Sequence, residues 1–104
     1  MDSLSEIRNK VVQEISAYAK PSFNGGDSYL TQSADGNLIS VVDVLPVNGR
    51  HQADTGLVVR LAGEYIIIEH DMNNKPLVDA LVQAGVPRTQ IILAYAGETV
   101  PETA

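Results

Sequence analysis

The strongest constraint on the fold is a run of β-branched and aromatic side chains at residues 65–69, Tyr-Ile-Ile-Ile-Glu. Such residues favour the extended conformation because their side chains pack well on a pleated sheet. Just upstream, large apolar side chains alternate with others over residues 57–61, and Ala62-Gly63-Glu64 supplies a turn. This alternation is typical of a half-buried strand. The sequence therefore predicts a β-hairpin over residues 55–71 at the centre of a sheet.

An amphipathic helix is predicted at the start of the chain. Ser3 and Glu6 fit a capping box, in which the serine hydroxyl accepts hydrogen bonds from the first free amides and the glutamate reaches back to the cap. Large apolar side chains then recur at steps of three and four residues and form one stripe: Leu4, Ile7, Val11, Ile15 and Tyr18. Lys20 and Pro21 end the helix, because proline disfavours the helical conformation in the residue before it.

A second helix is predicted between the central hairpin and the last apolar segment. Asn73 or Asn74 can cap it, and Pro76 suits its first turn, where a missing N–H leaves no hydrogen bond unmade. Its apolar face is formed by Leu77, Val78, Leu81 and Val82. Gly85 is typical of a helix end in the left-handed conformation, and Pro87 cannot continue the helix.

Further strands extend the predicted sheet. Residues 28–32 form a short polar strand, and residues 38–45 form a β-branched strand that Pro46 closes. Between them, Asp35-Gly36 indicates a tight hairpin turn, because both central residues of such a turn need positive φ. Residues 47–54 are expected to form a polar loop.

Residues 91–95, Ile-Ile-Leu-Ala-Tyr, are predicted to return into the sheet as its last strand. The element order is then α-β(4)-α-β, which predicts an α+β fold with a mainly antiparallel sheet and two helices packed on one face. A chain of 104 residues fits one domain. We expect this domain to span residues 1–104, with residues 98–104 as a loose tail.

Composition restricts the classes of function. Thirteen acidic and seven basic residues give a net charge of −6, whereas nucleic-acid binding depends on basic side chains that displace phosphate counterions. Unassisted DNA binding is therefore disfavoured. The absence of cysteine excludes disulfides and thiolate chemistry. The acidic start lacks the basic region of a signal peptide, and no apolar run reaches the ~20 residues that span a bilayer, so a cytoplasmic location is expected.

No catalytic, metal-binding or cofactor-binding pattern stands out in the sequence. His51 and His70 are the two imidazoles, nineteen positions apart. Together with Asp54 or Asp71 they could converge on a metal ion or line the cleft of a small enzyme. Solvated polar side chains are the simpler interpretation of all four. We therefore predict no catalytic residue, no metal ligand and no cofactor.

The C-terminal half carries a more specific pattern. Residues 64–71 read Glu-Tyr-Ile-Ile-Ile-Glu-His-Asp, a strand that ends in an acid. Residues 74–98 follow with a Lys-Pro-Leu helix start, then Ala-Gly-Val-Pro, then Ile-Ile-Leu-Ala-Tyr. These features resemble the end of the XisI proteins, the fdxN element excision controlling factors of cyanobacteria, and the opening helix with Tyr18-Ala19 resembles their start. The resemblance implies a role in controlling site-specific excision of a DNA element during heterocyst differentiation, alongside a recombinase and a nuclease-like companion, XisH.

The acidic charge and the lack of an active-site pattern favour a non-catalytic accessory protein that binds a protein partner, such as the XisH-like companion or a recombinase complex. The alternative is a small DNA-binding controlling factor with a basic surface built from Arg50, Arg60 and Arg88. A homodimer is also expected, because a small sheet exposes a strand edge that pairing can cover. The residues expected to contact a partner are Arg50, His51, Arg60, His70, Asp71 and Arg88.

Overall fold

The computed structural model of the protein describes residues 4–19 and 26–101. The α-helices within these residues are α1 (Leu4–Ser16) and α2 (Leu77–Gln83). The strands are β1 (Asp27–Gln32), β2 (Leu38–Val47), β3 (Arg50–Ala62), β4 (Tyr65–Asp71) and β5 (Ile91–Leu93). Neither described helix has the length and apolar character needed to cross a membrane. The capping residue predicted at Ser3 and the helix end predicted at Lys20 and Pro21 lie outside the described residues.

The five strands form one sheet in the order of the sequence. Neighbours from β1 to β4 are antiparallel, and β5 joins β4 in parallel. The connections explain this difference, because short turns reverse the chain between antiparallel strands, whereas α2 carries it back before β5. The predicted α+β order and mainly antiparallel sheet are confirmed.

β3 and β4 form the predicted central hairpin. Ala62 pairs with Tyr65, and the turn between them places Gly63 at φ 58°. Glycine adopts this left-handed conformation without the steric cost of a Cβ atom. The consecutive side chains of Ile66, Ile67 and Ile68 are all buried. Burial on both faces is the physical basis of the continuous apolar run seen in the sequence.

The core joins both helices to alternate residues of the sheet. The helices contribute Ile7, Val11, Ile15, Leu77 and Leu81. The strands contribute Ile39, Val41, Leu57, Val59, Leu61, Ile66, Ile68 and Ile91. Ile67 is buried outside this cluster, because successive side chains of a strand point to opposite faces. The apolar stripe predicted for α1 is confirmed at Ile7, Val11 and Ile15, and packing of both helices on one face stays a prediction.

The polar loop predicted at residues 47–54 is wrong. β2 and β3 continue through this segment as a second hairpin, and Val47 pairs with Arg50 across its turn. The turn residues Asn48 and Gly49 have φ of 51° and 78°. Positive φ at both positions gives a turn whose twist matches that of the flanking strands. The Asn-Gly pair is therefore the signal that indicates a hairpin here, whereas the polar character of the segment wrongly indicates a loop.

Pro46 does not close its strand, contrary to the expectation from sequence. It pairs with His51 of β3, whereas the pairing of β1 with β2 stops at Asp27 and Val44. β2 is therefore an edge strand at Pro46. Proline is tolerated at such a position because an edge strand is hydrogen-bonded on one side, so a missing N–H that would point to the open side breaks no hydrogen bond.

Asp71, rather than Asn73 or Asn74, holds the start of α2. The residue before the helix is Pro76, which makes no side-chain cap. Asp71 Oδ2 accepts a hydrogen bond from the backbone N–H of Leu77 at 2.8 Å, and its Oδ1 accepts one from the N–H of Asn73 at 3.0 Å. A carboxylate at this end also interacts favourably with the helix dipole. The predicted cap residues are wrong, because the cap comes from the preceding strand.

Other boundaries differ by a few residues from the prediction. α1 ends at Ser16, and residues 17–18 form a turn. β5 ends at Leu93 and is followed by a 3-10 helix. In the Asp35-Gly36 turn only the glycine has positive φ, at 74°. The carboxylate of Asp35 instead accepts a hydrogen bond from the N–H of Asn37, a local contact that stabilises a wider turn.

The structure predicts that Asp71→Ala lowers the free energy of unfolding by about 1–2 kcal/mol, because two backbone N–H groups lose their acceptor. Urea unfolding followed by circular dichroism measures this change. Asp71→Asn keeps an oxygen acceptor and should lose less. Equal losses in the two variants would show that the negative charge, and not the hydrogen bonds, stabilises the helix start.

Gly85 should not tolerate a side chain. Its φ is 96°, its N–H donates to the Val82 carbonyl, and the N–H of Val86 donates to the Leu81 carbonyl, both at 3.0 Å. This pair of hydrogen bonds is the Schellman arrangement of a helix end. Gly85→Ala is expected to destabilise the fold by about 1–2 kcal/mol, measured by the same unfolding experiment. An unchanged midpoint would mean that the helix end relaxes out of the left-handed conformation at no cost.

Candidate functional site

Residues 45–55 form a two-stranded projection, which we call the hairpin arm. Every residue of the arm is exposed. β1 accompanies β2 only as far as Val44, and β4 accompanies β3 only as far as Leu57. Within the described part of the chain, the arm therefore has no flanking strand on either side. The radius of gyration is 14.3 Å, larger than the about 13 Å of a compact chain of this length, in keeping with such a projection.

The tip of the arm carries a cationic side chain beside an imidazole. An open groove of about 580 Å³ at the tip is lined by Val47, Asn48, Arg50, His51 and Gln52. Among the described residues, no side chain or carbonyl hydrogen-bonds or ion-pairs with the Arg50 guanidinium. Arg50 is therefore available to an acidic group outside the chain.

A second groove lies at the base of the arm. Its volume is about 620 Å³, and it is lined by Asp43, Leu45, Asp54, Thr55, Gly56, His70 and Met72. Asp43 and Asp54 lie directly opposite each other on β2 and β3, where like charges repel. Asp43 accepts a hydrogen bond from the Ser28 hydroxyl, and Asp54 accepts one from Gln52 Nε2 at 3.2 Å. This base groove offers two carboxylates to a cationic group.

Arg60 lies in the sheet rather than on the arm. Its Nε donates to Glu69 Oε2 at 2.9 Å, and the two side chains are 37% and 34% exposed. Such an open ion pair contributes about 0.2–1 kcal/mol to stability. The register places Arg60 in one row with Leu38, Ile67 and Ile92 across β2, β4 and β5. Directly opposite residues share a face, so this Arg60 row lies on the face that Ile67 occupies, away from the core cluster.

Arg88 is engaged within its own segment. It donates to the Ile91 carbonyl at 2.7 Å and to Glu98 Oε2 at 3.1 Å. The backbone N–H of Leu93 donates to the other oxygen of Glu98 at 2.8 Å. This N–H, and secondarily Arg88, hold the pKa of the Glu98 carboxyl below its usual range. Arg88 thus fixes the chain after β5.

The three arginines expected to build a DNA-binding surface do not share one patch. Arg50 and Arg60 are ten positions apart on β3, a distance of roughly 33 Å along an extended strand. Arg60 and Arg88 are each paired with a glutamate. A row of phosphates would therefore meet separate cations, two of them already neutralised locally.

His51 and His70 are also far apart. His51 pairs with Pro46 on the arm, whereas His70 pairs with Val58, seven positions further along β3. This offset is roughly 20 Å, so the two imidazoles do not meet at one metal ion or in one cleft. Over residues 4–19 and 26–101, no group of three or more His, Asp and Glu side chains is arranged to hold a metal ion.

His70 and Asp71 are adjacent in sequence but serve different elements. Asp71 accepts hydrogen bonds at the start of α2, whereas His70 lines the base groove. The register between β3 and β4 shifts between Val58 and Val59, which leaves Glu69 without a partner in the ladder. An irregularity of this kind changes the direction of neighbouring side chains. Of these two predicted contact residues, His70 lines a groove, whereas Asp71 is engaged at the start of α2.

Sequence reasoning missed Asp43 and its pairing with Asp54. The signal was present in the Asn48-Gly49 turn, because a two-residue hairpin turn fixes the register of both strands. Counting outward from that turn places Asp43 opposite Asp54, as observed. The acidic base groove could thus have been inferred once the hairpin was recognised.

Known proteins resemble this chain in both sequence pattern and fold. The XisI protein family model matches residues 1–103. An XisI-like protein from Anabaena variabilis ATCC 29413 has a crystal structure that superposes with a TM-score of 0.76 at 18% identity, covering 88% of this chain and 85% of that one. The fdxN element excision controlling factor XisI from the same strain superposes with a TM-score of 0.72 at 23% identity, covering 90% and 93%. No curated protein matches the chain.

At these identities the two crystal structures establish a shared fold. The family match covers almost the whole sequence, from the opening helix to the segment after β5. The resemblance of the C-terminal half and of the opening helix is thus confirmed, and the match also covers the arm. The chain belongs to the XisI family.

Proposed function

We propose that this protein is a non-catalytic accessory factor that controls site-specific excision of a DNA element of the fdxN type. In this proposal it acts by binding a protein partner, such as a nuclease-like XisH companion or a recombinase complex. Membership of the XisI family supports the role in excision, since one solved relative with this fold is named the fdxN element excision controlling factor XisI. Heterocyst differentiation in cyanobacteria is the corresponding cellular setting.

The distribution of charge is the observation that carries the choice of a protein partner over DNA. The net charge of −6 repels phosphates. Arg60 and Arg88 are bound to Glu69 and Glu98, so engaging DNA with them would require breaking internal ion pairs. Arg50 stands apart at the tip of the arm.

The sheet face of the Arg60 row is the surface best suited to this partner. Leu38 and Tyr29 on this face are 41% and 53% exposed. Tyr29 shares the face because it pairs with Val42, which is separated from Leu38 by an even number of positions on β2. The ion pair of Arg60 and Glu69 lies beside Leu38, which pairs directly with Arg60. Interfaces are commonly built from apolar centres with tyrosine and arginine anchors. Of the six residues predicted to contact a partner, Arg60 belongs to this surface.

The proposal predicts that the purified protein binds the XisH-like companion at micromolar concentration, measured by isothermal titration calorimetry. Leu38→Lys should weaken this binding by roughly tenfold or more, because it places a charge at the apolar centre of the surface. Val82→Lys is the matched control, since Val82 is 44% exposed and lies on α2. It should leave the affinity unchanged.

Absence of any association at micromolar concentration would show that the companion is not the partner. Equal weakening by Leu38→Lys and Val82→Lys would remove the sheet face as the binding surface. Retardation of duplex DNA at low salt, lost as salt rises and lost in Arg50→Ala, would favour the DNA-binding alternative.

A further inference from the structure

The hairpin arm has unused hydrogen-bonding capacity along β3. In an antiparallel strand, every second residue directs its N–H and C=O groups toward one neighbouring strand, and the residues between them direct theirs toward the opposite side. Among residues 4–19 and 26–101, β2 is the one strand that pairs with residues 50–55 of β3, so within this part of the chain the outer edge of β3 carries free backbone groups. An isolated two-stranded hairpin is at best marginally stable in water. The arm would gain stability from a third strand along this edge.

Two side chains of opposite charge lie at equal distances in sequence on either side of Gln52. Arg50 lies two positions before Gln52 and Asp54 two positions after it. All three share one face of the strand, because side chains alternate with a period of two. A second copy of the strand, antiparallel and centred on Gln52, would place each Arg50 opposite the Asp54 of the other copy. This is the self-complementarity that a two-fold interface requires.

We propose that two copies of this chain associate through the outer edges of their arms, with β3 paired to β3 and Gln52 on the two-fold axis. The two hairpins then form one four-stranded antiparallel sheet. Arg50 of each copy binds Asp54 of the other, and cross-strand pairs of opposite charge are favourable at such positions.

The base groove supplies a second contribution to this interface. Asp43 stands opposite Asp54, so the arriving guanidinium of the second copy approaches two carboxylates rather than one. Its positive charge relieves their mutual repulsion, and the guanidinium gains an anionic partner that the described residues of its own chain do not give it. In the same register, the tip of the second arm reaches toward Gly56 and the exposed Met72, which line this groove.

The other long edge of the sheet does not offer this match. β1 is an edge strand over Asp27–Gln32, with the sequence Asp-Ser-Tyr-Leu-Thr-Gln. It contains an acid but no base, so no antiparallel self-pairing of β1 brings opposite charges together. Charge complementarity therefore assigns the second copy to the outer edge of β3.

Exchanging the two charges tests the proposal directly. Sedimentation velocity over a concentration series should show a monomer–dimer equilibrium for the unaltered chain. Arg50→Asp alone or Asp54→Arg alone places like charges opposite each other twice and should weaken dimerisation by roughly tenfold or more. The double variant Arg50→Asp with Asp54→Arg restores the pairing in reverse and should recover the dimer.

Glu64→Arg is the control for the change of charge, since Glu64 lies exposed in the turn at the opposite end of β3. It alters net charge as Asp54→Arg does and should leave dimerisation unchanged. A monomer throughout the concentration series would overturn the proposal. So would a dimer that persists in both single variants, since the contact would then lie on another surface.

A cross-link locates the two-fold axis independently of affinity. The chain has no cysteine, so Gln52→Cys introduces a single thiol. Directly opposite residues of antiparallel strands have Cα atoms about 4.5–5.5 Å apart, within the range that a disulfide spans. Mild oxidation should convert Gln52→Cys, but not Glu64→Cys, into a covalent dimer. These tests need only this chain, so their failure leaves the binding of the companion unaffected.

Discussion

The structure depends on the unequal lengths of two neighbouring strands. β3 has 13 residues and β4 has 7, so β4 and the core cover only the second half of β3. There, Leu57, Val59 and Leu61 are buried. Over residues 50–55 the same strand is exposed at every position. One strand therefore belongs both to a packed sheet and to an arm that has no core beneath it.

The charges follow the same division between sheet and arm. In the packed part, Arg60 and Arg88 each reach a glutamate within a few ångströms, and these pairs fix side chains at little net energy. On the arm, Arg50 has no such neighbour among the described residues, and at the base of the arm Asp43 faces Asp54 across the ladder. Contact with a second molecule can give Arg50 a carboxylate partner and relieve the repulsion between the two opposed anions.

Local signals in the sequence predicted the packed part of the fold. The isoleucine run of β4, the stripe of α1 and the glycine that ends α2 each act through neighbouring residues, so no knowledge of the tertiary structure was needed. The arm was missed because a strand exposed on both faces has no reason to alternate apolar and polar side chains. The contact from Asp71 to Leu77 was missed because it joins a strand end to a helix start. The base groove depends on register, which only the Asn48-Gly49 turn specifies.

The two proposed surfaces are compatible because the Arg60 row, at the centre of the partner surface, lies at the opposite end of β3 from Gln52. Gln52 and Arg60 are eight positions apart on this strand, roughly 26 Å, well beyond the separation at which substitutions usually influence each other. Pairing through the arms would leave the Arg60 row of each copy exposed, so the proposed dimer would present two partner sites related by a two-fold axis. Two linked sites bind a two-site target more tightly than either alone. In the proposed role in excising a DNA element, a two-fold particle with two partner sites has the symmetry to hold one partner at each end of the element.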